Sequence, residues 1–152
     1  RRQRQMCIRD RRYAKNPDID IQTDFSSNST VFEADLLVTD WSGIAYEYAF
    51  TTKKPVLFVD TPMKVMNPEY QKIDTVPINI WMRDVIGDRL DPAKTEETES
   101  KVRNLLEQKD AYHDRIEKFV EEYVYNLGNS AEVGAKYIVQ AVQEQIKKAK
   151  EQ

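Results

Sequence analysis

The sequence predicts an α/β domain: a small parallel sheet with flanking helices, followed by a helical C-terminal tail. Three observations lead there. Two short, continuous apolar runs, residues 36–38 and 56–59, have the character of strands buried in a parallel sheet. A stretch with apolar residues at helical spacing lies between them, and long helix-patterned segments follow Asp91.

Taken in order, residues 1–15 carry six arginines before Tyr13 and read as the end of a helix. Asn16-Pro17-Asp18 stops it, because proline cannot continue a helix and restricts the residue before it. Ile19-Asp20-Ile21-Gln22 alternates and predicts a short strand. Asn28 or Ser29 opens a short helical turn that ends near Ala34. Leu36-Leu37-Val38 predicts a strand buried on both faces, and Thr39-Asp40-Trp41-Ser42-Gly43 a tight turn. Ile44, Ala45, Tyr48 and Ala49 give residues 44–52 a helical face, and residues 55–59 form the next buried strand. Strand, helix and strand make a βαβ unit, whose crossover is right-handed in nearly all proteins.

Residues 60–74, with Pro62 and Pro68, predict an irregular loop with one helical turn near Glu69. Ile78-Asn79-Ile80 reads as a short edge strand, and residues 81–86 as a short helix stopped by Gly87. Asp91-Pro92 signals a helix start, predicting helices over residues 93–108 and 111–125. Asn126-Leu127-Gly128-Asn129 breaks the second. Ser130 caps a last helix over residues 131–148, with Val133, Tyr137, Ile138, Ala141, Val142 and Ile146 on one face.

The 152 residues suit a single domain, expected to comprise an α/β core over residues 1–90 and a helical tail packed on it over residues 91–152. A net charge of −3 argues against a nucleic-acid partner. One cysteine, Cys7, rules out a disulfide framework or a cysteine metal cluster, and neither metal nor cofactor is expected. No apolar run reaches the roughly 20 residues that span a bilayer. The chain opens on Arg-Arg-Gln-Arg-Gln without methionine and is expected to be an N-terminally truncated piece of a longer protein. The arginine cluster at its start suits either a solvated helix face or an anionic membrane surface.

Chemistry concentrates where the first buried strand hands over to the helix at Ile44. Ligands of open α/β sheets bind at the carboxyl ends of strands. A helix start offers unpaired amides and a partial positive charge, which favour an anion such as a diphosphate. Ser42 adds a hydroxyl, and Gly43 lets a phosphate approach the backbone closely. Thr39 and Asp40 flank the turn, and Glu47 lies one helical turn further in, at the right reach for ribose hydroxyls. The plainer account makes Ser42 a cap, Gly43 a relief of the turn and Glu47 a solvated carboxylate. Ser27 and Asn28, in a polar loop, are candidates for contacts to a nucleotide base or else part of a capped loop. Asn129 and Ser130 begin a helix and are candidates for a cleft loop, or else an ordinary helix stop and cap.

The stretch Ala34-Asp35-Leu36-Leu37-Val38-Thr39-Asp40-Trp41-Ser42-Gly43-Ile44-Ala45-Tyr46-Glu47-Tyr48-Ala49-Phe50, followed by Lys53-Lys54-Pro55-Val56-Leu57-Phe58, resembles the signature of the CDP-glycerol:poly(glycerophosphate) glycerophosphotransferases. The family pattern is an Asp, a short apolar strand, Thr-Asp-Tyr-Ser-Ser, an acidic helix position, then Lys-Pro and a second apolar strand. The resemblance implies a Rossmann-like domain, the C-terminal, donor-binding half of a GT-B-like pair with its active site in the cleft between the halves. It implies that Ser42 and Gly43 face the donor diphosphate, that Thr39 and Asp40 line the cleft, and that Glu47 is the acidic helix residue. Three departures stand out: Trp41 for Tyr, Gly43 for the second Ser, and Glu47 for Asp. The last changes the reach of the carboxylate and bears on donor identity.

The family also carries an Arg-Pro-His-Pro run whose histidine is tied to catalysis. This sequence has no such run, and its one histidine, His113, sits in a charged helix and reads as a surface residue. The catalytic residues are therefore expected outside this chain, as is an N-terminal acceptor domain. The implied activity is transfer of glycerol phosphate from CDP-glycerol to a polymeric or lipid-linked acceptor in cell-wall glycopolymer (teichoic acid) synthesis. The implied place is the cytoplasmic side of a bacterial plasma membrane, peripheral to its inner face. Two alternatives stay open: a nucleotide-sugar glycosyltransferase or epimerase-type domain, and a non-catalytic binding domain of the same fold.

Overall fold

The computed structural model describes residues 13, 15–22, 29–63, 69 and 72–150. By contacts the chain falls into two units, Arg1–Glu33 and Ala34–Gln152. In the first, the Asn16 side chain accepts the Asp18 amide at 3.0 Å in an Asx turn, and the Ile19 amide reaches the Asn16 carbonyl at 3.3 Å. The strand expected at residues 19–22 does not form: that segment is exposed and has no regular secondary structure. Alternation supplies only a period, and a strand also needs a partner for its amides and carbonyls. Helix α1, Ser29–Glu33, fulfils the expected short turn.

The second unit is built on a three-stranded parallel sheet, β1 (Leu37–Thr39), β2 (Val56–Val59) and β3 (Gly87–Leu90), in that spatial order. Helix α2, Ile44–Thr52, makes the crossover between β1 and β2 with the expected bounds. It ends at Lys53 in a left-handed conformation (φ 58°), which lets the Lys53 amide close back on the Ala49 carbonyl at 2.9 Å. Central β2 is the buried strand: Val56, Leu57 and Phe58 are almost wholly covered. Strand β1 departs from expectation. It is not buried on both faces, because among the described residues it pairs only with β2, and Val38 is 49 % exposed.

Residues 78–80 are helical rather than a strand. Pro77 precedes a single turn, α3 (Ile78–Trp81), with the Ile80 amide bonded to the Pro77 carbonyl at 2.9 Å. A three-residue apolar-polar-apolar pattern suits either period, and the proline favours the first position of a helix. After Met82 comes α4, Arg83–Ile86. The third strand, Gly-Asp-Arg-Leu, carries no strand signal because its middle residues are charged. Asp88 is held by Lys101 at 2.8 Å and Arg89 by Asp84 at 2.7 Å. Gly87 ends the helix as expected, without a left-handed turn. Its backbone is extended, and it is glycine because a Cβ there would run into the Val56 carbonyl of the paired strand.

Asp91-Pro92 starts a turn rather than a helix: the Asp91 carboxylate accepts the Ala93 amide at 2.9 Å, and a 3-10 turn (Thr95–Glu97) intervenes before α5, Thr98–Glu107. Helix α6, Lys109–Tyr123, buries Tyr112, Ile116, Phe119 and Val120, the spacing of one helical face. The core joins these to Leu105 of α5, Ala45, Tyr48 and Ala49 of α2, and Ile86 and Leu90. Each fully buried aliphatic side chain contributes about 1.5–3 kcal/mol. Phe50, Trp81, Phe119 and Tyr123 extend this core as a ladder of stacked and edge-on rings 4.7–5.8 Å apart. Asn126 and Gly128 take positive φ values of 56° and 84° in the turn before α7, Ser130–Lys150. The Val133 amide bonds to the Asn129 carbonyl at 3.1 Å, so the capping position is Asn129 and Ser130 is already helical. No residue of α7 is buried, and its apolar stripe, including Tyr137, Ile138, Val142 and Ile146, faces outward.

Candidate functional site

The handover from β1 to α2 takes four residues, Asp40 to Gly43. Gly43 is the capping residue of α2, with φ −61° and ψ −22°, and no side chain caps the helix. The amides of Ala45 and Tyr46 bond back to the carbonyls of Ser42 (3.3 Å) and Gly43 (3.1 Å), and that of Glu47 to Gly43 at 3.5 Å. The amides of Gly43 and Ile44 meet no acceptor among the described residues. They stand at the positive end of a nine-residue helix.

Two simpler accounts of the turn fail. Ser42 is no cap, since its hydroxyl makes no capping bond. Gly43 is not demanded by the backbone, which is ordinary right-handed helix there, nor by packing, since a Cβ would meet nothing within 4 Å. The space in front of its amide is open, and Gly43 is exposed. Thr39 is half-buried at the end of β1, Asp40 beside it is exposed, and Glu47 is exposed in the first turn of α2.

Beneath this turn lies a residue that the sequence did not single out. Arg83, at the start of α4, is the buried charged side chain of the core, 1 % exposed. Its guanidinium lies 3.9 Å from the Trp41 ring centre and 4.6 Å from that of Phe58. Its Nη2 pairs with Asp60 Oδ1 at 2.8 Å, just past the end of β2. Nη2 is engaged by this ion pair, and among the described residues Nε and Nη1 have no hydrogen-bond acceptor. Trp41 is fixed in turn by its indole N–H, which donates to the Thr61 carbonyl at 2.8 Å. Tyr46, one turn into α2, donates its hydroxyl to the Asn79 carbonyl at 3.2 Å. Burial pushes its phenol above the usual range, partly offset by the charge of Arg83. The available signals were an Arg-Asp pair set between the apolar residues Ile80 to Met82 and Val85 to Ile86, and an aspartate following each of two neighbouring apolar strands.

The remaining candidates stand apart. Ser27 and Asn28 lie outside the described residues. Among the described residues no hydrogen bond or ion pair joins Asn129 or Ser130 to the turn, and both are exposed. His113 is a surface residue of α6, its Nδ1 3.5 Å from Asp114. Two surface hollows, about 310 and 470 Å³, lie along α5 between Glu96 and Glu107, away from the strand ends. Among the described residues no helix is long and apolar enough to cross a membrane.

A family model described as CDP-Glycerol:Poly(glycerophosphate) glycerophosphotransferase matches residues 5–142 of the chain. No curated protein and no solved structure matches it.

Proposed function

The chain belongs to the CDP-glycerol:poly(glycerophosphate) glycerophosphotransferase family, and from that premise we propose that it is the donor-binding part of a transferase that moves glycerol phosphate from CDP-glycerol to a polymeric or lipid-linked acceptor. One observation carries the reading: the open, uncapped start of α2, where the Gly43 and Ile44 amides have no acceptor and the residue in front of them has no side chain. An anion there gains two backbone donors and the helix dipole. In transfer, the acceptor oxygen bonds to the phosphorus next to glycerol, the bond from that phosphorus to CMP breaks, and charge grows on the departing CMP phosphate. Phosphoryl transfer is helped chiefly by positioning and charge stabilisation, which these amides and the Ser42 hydroxyl supply. Glu47, one turn along, accepts the ribose hydroxyls. The acceptor site and the group that takes the acceptor's proton belong to a partner domain. The setting is cell-wall glycopolymer synthesis at the cytoplasmic face of a bacterial plasma membrane.

The test is titration of the chain with CMP, CDP-glycerol and UDP-sugars, followed by amide NMR shifts and calorimetry. Shifts confined to Ser42–Glu47, with CDP-glycerol preferred, are the expected result. Ser42→Ala weakens both cytidine ligands, and Glu47→Ala weakens CMP without weakening inorganic pyrophosphate. Tighter binding of UDP-sugars, or shifts centred elsewhere, overturns the proposal.

A further inference from the structure

We propose that Arg83 is the buried cation that sets the anion affinity of the Trp41–Gly43 turn, as a positioning residue acting through Trp41 and Tyr46 rather than by touching the ligand. The inference rests on the reading of that turn as a diphosphate site and names the charge that makes it work.

The argument begins with cost. A guanidinium removed from water loses several kcal/mol of hydration, recovered only with good ion-pair geometry and satisfied donors. Among the described residues Arg83 has one ion-pair partner, Asp60, and its Nε and Nη1 have no hydrogen-bond acceptor. An apolar side chain of like volume would fill this place between Trp41 and Phe58 at no such cost. What the arginine supplies and an apolar residue does not is positive charge, and the turn above it has need of some. Two carboxylates, Asp40 and Glu47, belong to the turn and to the first helical turn of a site read as binding an anion, and a helix start offers only about half a unit charge against them. Arg83 is stacked on the residue that precedes Ser42, and its field reaches Tyr46 in the first turn of α2. The charge is buried while the turn opens to solvent, so its field on an anion there is partly screened by water and salt. Asp60 sets how much of it is felt. That carboxylate is about one-third exposed, so it offsets the guanidinium incompletely.

Charge and scaffold roles predict different signs, which makes the proposal testable. The probe is inorganic pyrophosphate, titrated into the chain by calorimetry. The emission of Trp41 is read in a Trp81→Phe background, which leaves it the sole tryptophan of the two. Arg83→Met should weaken pyrophosphate binding about tenfold and abolish the Trp41 response, whereas Arg83→Lys should stay within about threefold of wild type. Asp60→Asn breaks the same ion pair but leaves the cation less neutralised, and should tighten binding about fivefold. If Arg83→Met and Asp60→Asn both weaken binding, the pair is a scaffold and the proposal is overturned. It is also overturned if a folded Arg83→Met binds like wild type. Should Arg83→Met fail to fold by circular dichroism, Asp60→Asn decides: absence of tightening refutes it. If wild type binds no pyrophosphate at the turn, the diphosphate reading itself falls, an outcome separate from wild-type binding that Arg83→Met leaves unchanged.

Discussion

Replacing Gly43 by alanine should separate stability from ligand binding. At φ −61° and ψ −22° alanine sits without strain, and its methyl would find nothing within 4 Å. Loss of glycine's freedom in the unfolded chain favours the variant by about 0.4–1 kcal/mol. The poorer showing of alanine at a helix-capping position costs a similar amount. The net change should lie within about 0.5 kcal/mol, and Tm should move by about 2 °C or less. Binding should respond quite differently. The methyl stands in the open space before the Gly43 amide, where the donor phosphate is placed, and displaces at least one hydrogen bond to a charged group, worth about 1.5–3 kcal/mol. That corresponds to a Kd for CMP higher by about 10- to 100-fold. Circular-dichroism melts and calorimetric titration of the same preparations check both halves. An unchanged Kd would refute close approach of the ligand to Gly43. A stability loss well above 1 kcal/mol would refute the turn geometry.

Two further outcomes concern the scaffold. Gly87→Ala should cost about 3 kcal/mol or more in urea denaturation, because the new Cβ collides with the Val56 carbonyl across the β2–β3 ladder; a loss below about 1 kcal/mol would mean the strands do not approach so closely. Tyr48, whose hydroxyl donates to the Ala34 carbonyl at 2.9 Å, has its phenol pushed up to about 12, chiefly by burial, with the Thr52 hydroxyl bond opposing and the Asp35 charge adding. The folded chain therefore keeps a proton that the unfolded chain gives up near pH 10, so this stability is fully present below about pH 10 and is lost as pH rises towards 12. The loss should be on the order of 2 kcal/mol between about pH 9 and about pH 12 in denaturant titrations, and Tyr48→Phe should flatten that slope.

Sequence patterning was sufficient wherever the signal was local. The run ending at Val38, the helical face of Ile44, Ala45, Tyr48 and Ala49, and the Pro55-led strand specified the βαβ unit, because each element's period is set by its own backbone geometry. The Ser42–Gly43 turn was legible for the same reason: a strand end followed at once by a helix start is a local arrangement. The misreadings fell where one pattern fits two structures. Ile78-Asn79-Ile80 suits a strand or a helical turn, and Asp91-Pro92 opens a turn as readily as a helix. Strand β3 escaped notice because Asp88 and Arg89 find ion-pair partners that no window of neighbouring residues reveals.

Residue types and their order determined the family, the strand–helix–strand unit and the glycine at the head of α2. Only the folded arrangement decided that Gly87 is glycine because a neighbouring carbonyl occupies its Cβ position, that the stripe on α7 faces outward, and that a guanidinium lies under the turn. Arg83 is 42 positions from Trp41 and 23 from Asp60 by residue number. Their stacking and pairing arise from α4 packing against β2 and β3, and proximity of that kind is a property of three-dimensional packing that no periodicity encodes.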